Sequence, residues 1–350
     1  MMRLKRLTLA ALMTACRSLA VAPARIAVED MLTKRALPLP AAPSSAAASE
    51  SLRMHGVARL DGVLEAATCK LLKRHIFDLR DSAADPTSQR WAIWMGAADN
   101  RYVPGSRVKF CNALEERLTA ERSDILLPLE DAVVADALRT AATALRPVLH
   151  DGTGSLPTQA NGLGEGDDGE GGGGSEGERV ESLEKVELVE CGALVAMPGS
   201  SSQALHADFR RKNVLVTSDG DGSASDRPAM PPRLVAFVYL QDVVSSEHGP
   251  TVFLPGTATA AAHDRVLDGG GGVRPGSVDS GLEWMATVRA GDAVVYDASV
   301  LHFGSANTVE GNDRAVFYFG ISRAGHADCC AGPPVEGWEP VDPVRLWDYL

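Results

Sequence analysis

The feature that most constrains this chain is a run of short strand-like segments between Val186 and Ile321, separated by glycine and proline turns. Val186–Met197, Leu234–Leu240, Thr251–Leu254, Trp284–Val288, Ala293–Tyr296 and Arg314–Ile321 are each rich in β-branched and aromatic residues. Each is bounded by a turn former: Pro198-Gly199, His248-Gly249-Pro250, Pro255-Gly256, Gly291-Asp292 or Asn307–Asn312. Many short strands divided by glycine and proline turns suggest an antiparallel β core, a sandwich or a barrel.

The N-terminal part differs. Leu64, Leu71, Leu72, Ile76 and Leu79 form an apolar face on one expected helix. Val134, Leu138, Ala141 and Leu145 form another over Val133–Leu145, which Pro147 should end. Gly56–Leu60 reads as a short strand. Trp91, Trp94, Tyr102 and Phe110 are expected to fill core rather than to line a substrate cavity. The fold class expected is α+β, with N-terminal helices packed on a mainly β core.

Residues 1 to about 28 carry arginine and lysine but no acid before Glu29, with an apolar run ending in small residues. That pattern fits a targeting segment for an organelle or the secretory pathway, against a ragged cytoplasmic N-terminus. Residues 36–50, rich in Ala, Pro and Ser, read as a linker. Residues 51–350 are then one domain, with a disordered acidic, glycine-rich insertion at about 151–181. This insertion holds eight acids against one base, more than half of the net charge of −12. So acidic a chain is a poor partner for nucleic acid. No segment is long and apolar enough for a membrane helix. The six cysteines show no disulfide or zinc spacing, and adjacent Cys329-Cys330 read as unpaired.

His206-Ala207-Asp208 places an imidazole and a carboxylate two residues apart, on one face if the segment is a strand. His302, on a neighbouring strand, can complete two histidines and one carboxylate about a metal with its opposite face open. That donor set is typical of non-heme Fe(II) oxygenases. His-x-Asp is weak alone and recurs at His326-Ala327-Asp328, but only the first copy has strand context and a downstream histidine and arginine. Among the other histidines, His263 is a minor candidate for the site entrance. Asn307–Asn312 reads as a hairpin laying Arg314 beside the metal site, where a guanidinium could pair with the far end of a dicarboxylate.

The ordered series His206-Ala207-Asp208, Gly249-Pro250-Thr251-Val252-Phe253-Leu254-Pro255-Gly256-Thr257, Gly291-Asp292, His302, Asn307 and Arg314 resembles the phytanoyl-CoA dioxygenase family over roughly residues 55–322. The resemblance implies a double-stranded β-helix (jelly roll). It implies Fe(II) held by His206, Asp208 and His302, with 2-oxoglutarate as cosubstrate bound by Arg314, and O2. The implied reaction hydroxylates a C–H bond of a small organic substrate, releasing succinate and CO2. Asp208 favours hydroxylation or desaturation over halogenation. Ala258 departs from the histidine that many members carry there. A jelly roll that binds metal or a small molecule without turnover is the alternative, and a β-barrel metalloenzyme needing no cosubstrate is a third. Neither substrate nor oligomeric state is readable.

Overall fold

The computed structural model describes residues 23–83, 122–127, 129, 131–154, 186–208, 233–267, 273, 277, 283–323 and 344–345. In chain order the elements are α1 (Pro23–Arg35), β1 (Leu37–Pro38), α2 (Ser45–His55), β2 (Val57–Leu60), α3 (Ala66–Ala83), β3 (Arg122–Leu126) and α4 (Ala132–Gly154). Then come β4 (Val186–Ala196), β5 (Leu234–Tyr239), β6 (Thr251–Phe253), α5 (Ala260–Val266), β7 (Trp284–Met285), β8 (Ala293–Asp297), β9 (His302–Gly304), β10 (Arg314–Arg323) and β11 (Val344–Arg345).

The strands form two sheets. The larger runs β11-β4-β10-β5-β8-β2, with β3 also paired to β4, and every pairing is antiparallel. The smaller runs β1-β7-β6-β9. From β5 onward the chain alternates between them: β5 in the larger sheet, β6 and β7 in the smaller, β8 back in the larger, β9 in the smaller and β10 in the larger. This alternation is the winding of a jelly roll, and the expected α+β class holds. The two sheets face each other and do not close into one barrel.

Side-chain alternation explains the layering. On β5, Leu234, Ala236 and Val238 join a core shared with the helices. Val235, Phe237 and Tyr239 point instead into the space between the sheets. On β8, Ala293 and Val295 face the helices while Val294 and Tyr296 face inward. On β10, Ala315, Phe317, Phe319 and Ile321 face the helices, and Val316 and Tyr318 face inward. A strand buried on both faces cannot show polar alternation, hence the continuous apolar runs of the sequence. The larger sheet thus presents one face to the helices and the other to the site.

The apolar stripe of α4 is buried as expected, with Val134, Leu138, Ala141 and Leu145 at most 1% exposed. The helix nonetheless continues through Pro147 to Gly154, so residues 151–154, expected to open the disordered insertion, are helical. Val148 and Leu149 extend the stripe and are fully buried. Burying two such side chains, at about 1.5–3 kcal/mol each, offsets the roughly 3 kcal/mol that an interior proline costs.

Residues 36–50 are not a linker. Leu37 and Leu39 donate to Glu283 and Met285 carbonyls along β7, both at 2.8 Å, and Leu39 is buried. Helix α2 is capped by the Ser44 hydroxyl, which accepts from Ala47 N, and ends at Gly56 with φ 75°. Its Ala48 and Leu52 join the helical core. Composition alone hid a buried leucine and a capping serine.

Several expectations lie outside the described residues: the targeting segment up to residue 22, the aromatic group Trp91, Trp94, Tyr102 and Phe110, the acidic insertion beyond Gly154, Cys329-Cys330, and the second His-x-Asp at His326 and Asp328. No described helix is long and apolar enough to cross a membrane.

Candidate metal centre

The smaller sheet is extended past β9 by His206, which pairs with His302. His206 N donates to His302 O at 3.0 Å, and His302 N donates back to His206 O at 2.8 Å. The two residues are therefore directly opposite on antiparallel segments and share a face. Their rings lie 4.5 Å apart between centroids. Asp208 follows where the segment bends, and its Oδ1 sits 3.7 Å from His206 Nε2 and 3.5 Å from His302 Nε2. Among the described residues these three form the one group of His, Cys, Asp and Glu with ligand atoms close enough to share a metal ion, all within 4.8 Å.

The donor set fits a divalent metal. His206 Nδ1 lies 2.7 Å from Ala204 O, and His302 Nδ1 lies 2.9 Å from Val300 O. A carbonyl only accepts, so each Nδ1 carries the proton and each Nε2 keeps its lone pair for a metal. Burial by itself would raise the Asp208 carboxyl. The imidazoles of His302 and His206, the Tyr296 hydroxyl and Arg233 together outweigh it and hold the carboxyl below its ordinary range. Asp208 is thus ready as a carboxylate.

The loop before β9 is pinned from three directions. Thr257 Oγ1 donates to Leu254 O at 2.6 Å and accepts from Leu301 N at 2.9 Å. Asp297 Oδ1 accepts from Ser299 N at 2.8 Å. His263, fully buried, reaches Ser299 O through Nε2 at 2.7 Å. His263 is thus a brace beneath the loop that leads to His302 and not an entrance group. The Pro-Gly-Thr element acts here through Thr257, and Ala258 after it packs against the core between the sheets.

Gly291-Asp292 is likewise a scaffold. Asp292 accepts from Gly62 N at 3.0 Å through Oδ1, and from Arg289 N at 2.9 Å and Arg59 Nη2 at 3.0 Å through Oδ2. It locks the turn into β8 to the N-terminal strand.

Arg314 opens β10 and is 2% exposed. Val316 and Tyr318 face between the sheets, so Arg314, in the same alternation, does too. Its Nη1 donates to Gly249 O, while its Nε has no hydrogen-bond partner among the described residues. Burial lowers its pKa, partly countered by the Tyr239 phenol. The connection from β9 to Arg314 is not a hairpin, because β9 and β10 belong to different sheets. Asn307, fully buried, fastens this crossing by donating through Nδ2 to Ala196 O at 2.8 Å and Asn312 O at 2.6 Å.

Two residues escaped the sequence reading. Arg122 on β3 pairs with Ala196, which on its other side pairs with Arg314. Partners opposite one another share a face, so both guanidinium groups flank Ala196 on the inner side. Arg122 donates to the carbonyls of Ser201 and Ser305, and burial together with the charge of Arg314 pushes it down to about 9. No motif marked it. Tyr296 on β8 donates from its hydroxyl to Asp208 Oδ2 at 2.8 Å. Its alternation with Val294 marked a buried hydroxyl that needs a partner, but not which partner, since that depends on the strand across the site.

No protein-family model and no curated protein matches the chain. Solved structures of similar fold include the epimerase SnoN in complex with Fe3+, alpha-ketoglutarate and nogalamycin RO, at 16% identity and TM-score 0.46, covering 85% of this chain and 93% of that one. HygX from Streptomyces hygroscopicus, with nickel and 2-oxoglutarate bound, is 16% identical with TM-score 0.44, covering 77% of this chain and 84% of that one. A Pseudomonas putida prolyl-4-hydroxylase is 14% identical with TM-score 0.41, covering 81% of this chain and all of the other. With all three scores below 0.5, the likeness is distant.

Proposed function

We propose that the chain is a non-heme Fe(II)- and 2-oxoglutarate-dependent dioxygenase, of the kind the phytanoyl-CoA dioxygenase resemblance implies, that hydroxylates a C–H bond of a small organic substrate. The observation that carries this is the convergence of His206 Nε2, His302 Nε2 and Asp208 Oδ1, with both Nδ1 atoms committed to backbone carbonyls. Iron held there would supply, with 2-oxoglutarate and O2, the oxidising power for hydroxylation, with succinate and CO2 as co-products. The two histidines and Asp208 would hold the metal and leave positions on it for cosubstrate and substrate. Arg314, buried on the same inner face, offers its guanidinium to the distal carboxylate of 2-oxoglutarate. The inward rings of Phe237, Phe253 and Tyr296 pack around this region, with Phe253 stacked on His302 at 5.7 Å between centroids.

Anaerobic addition of Fe(II) and then 2-oxoglutarate to the full chain, followed by visible absorbance, tests the proposal. The expected result is a metal-to-ligand charge-transfer band requiring both additions. Asp208→Ala should abolish it. Arg314→Ala should weaken 2-oxoglutarate about tenfold or more, since a hydrogen-bonded charge contact contributes roughly 1.5–3 kcal/mol. Metal binding without the band would remove the cosubstrate assignment and leave a metal-binding jelly roll. No metal binding would remove the site.

A further inference from the structure

Asp208 offers two oxygens, and they meet different partners. Oδ1 faces both histidine Nε2 atoms, at 3.5 and 3.7 Å. Oδ2 accepts a 2.8 Å hydrogen bond from the Tyr296 hydroxyl. Tyr296 belongs to β8, in the opposite sheet from His206 and His302, so this bond ties the two sheets together across the site.

The phenol is held in place from several sides. Tyr296 is 1% exposed. Its ring lies 5.0 Å from Phe237, 5.1 Å from Phe253 and 4.9 Å from His302, between centroids. A tyrosine hydroxyl held this way cannot swing to follow a moving carboxylate.

We infer that Tyr296 is a positioning residue that restricts Asp208 to ligating a metal through Oδ1 alone. A carboxylate free of such a bond can chelate with both oxygens, as carboxylates do when mono- and bidentate modes are both open. Chelation by Asp208 would fill a coordination position that a bidentate cosubstrate needs. The hydroxyl takes up Oδ2 and keeps that position open. This inference rests on the proposed iron site and adds a residue that its three ligands do not include. Groups that orient metal ligands typically change affinity or activity 10- to 100-fold when removed.

Tyr296→Phe tests it, because the variant keeps the ring against which Phe237, Phe253 and His302 pack and removes only the hydroxyl. Wild type and variant, both full length, are titrated anaerobically with Fe(II) and then with 2-oxoglutarate, and their melting is compared. The expected result is a variant that folds and binds Fe(II) but binds 2-oxoglutarate about tenfold more weakly, with an altered charge-transfer band. Co(II) alone supplies a second readout: its visible absorption should differ between the two proteins, because the ligating oxygens differ. Matching Fe(II), 2-oxoglutarate and Co(II) titrations within about twofold would overturn the inference. A variant that loses its cooperative melting would overturn it too, making the hydroxyl part of the fold. Failure of the iron reading is seen separately, on wild type: a protein that binds Co(II) but forms no band with Fe(II) and 2-oxoglutarate has lost the cosubstrate, and the Co(II) comparison still decides the role of Tyr296.

Discussion

At Gly291 the backbone turns at φ 92°, and a β-carbon built there would lie 2.0 Å from Leu64 O. That carbonyl is fixed, since Leu64 N itself donates to Gly291 O at 3.0 Å. Alanine therefore meets two penalties, an unfavourable φ and an overlap with backbone that cannot retreat. Gly311→Ala is the matched control: its φ is 75°, but nothing lies within 4 Å of the added carbon. We expect Gly311→Ala to cost about 1–2 kcal/mol, the left-handed strain alone. Gly291→Ala should cost at least about 2 kcal/mol more, from overpacking. Denaturant unfolding monitored by tryptophan fluorescence checks the difference, and equal costs would mean the turn relaxes. The same scale shows what a sequence can carry. His206, Asp208 and His302, which the structure brings together, could be picked out in advance because few side chains ligate metals and their order is informative. Tyr296 could not, because its role depends on which strand lies across the site, and strand order is absent from the local pattern.

The loop between β8 and β9 that leads into His302 is fixed by side chains. Thr257 is the centre: one hydroxyl donates to Leu254 O and accepts from Leu301 N, the residue before His302. Thr257→Val conserves shape but leaves the buried Leu301 N–H without its acceptor, which costs about 1–3 kcal/mol. Two effects are expected together: a lower melting temperature, and weaker Fe(II) binding as His302 loses its fixed approach. Calorimetry and metal titration measure them. A variant that melts lower yet binds metal normally would show that β9 alone positions the histidine. At this scale most strands were readable from their apolar runs and turns, but their partners were not. Alternation shows which residues share a face and says nothing of which sheet a strand joins. Asn307–Asn312 looked like a hairpin for that reason, although it carries the chain from the smaller sheet to the larger one. Pro147 misled in another way, since a local breaker was overridden by the burial of Val148 and Leu149.

In the whole molecule, the N-terminal segment supports the site from beneath. Leu32 of α1 is fully buried in a cluster with Leu205, Val252, Leu301 and Phe303, whose chain neighbours include His206 and His302. Glu29 Oε1 accepts from Leu205 N at 3.3 Å, and the Thr33 and Ser305 hydroxyls lie 3.2 Å apart. β1 adds a parallel partner to β7, and Leu39 enters the core between the sheets. A reading from composition put the start of the domain near residue 51, because alanine, proline and serine dominate residues 36–50 and the few leucines among them carry no periodicity. A chain beginning at residue 51 would lose Leu32 and Leu39 from two cores, at about 1.5–3 kcal/mol each. It would also lose the parallel partner of β7, the first half of α2 with its cap, and the acceptor of Leu205 N–H. We expect that chain to melt at a clearly lower temperature than one beginning at residue 23, which keeps every described element. Because the lost contacts lie behind His206 and His302, it should also bind Fe(II) at least several-fold more weakly. If both chains melted and bound alike, α1 and β1 would be ornaments on an independently stable jelly roll. If the shorter chain kept its melting temperature but lost affinity, the N-terminal segment would serve the metal ligands more than the fold.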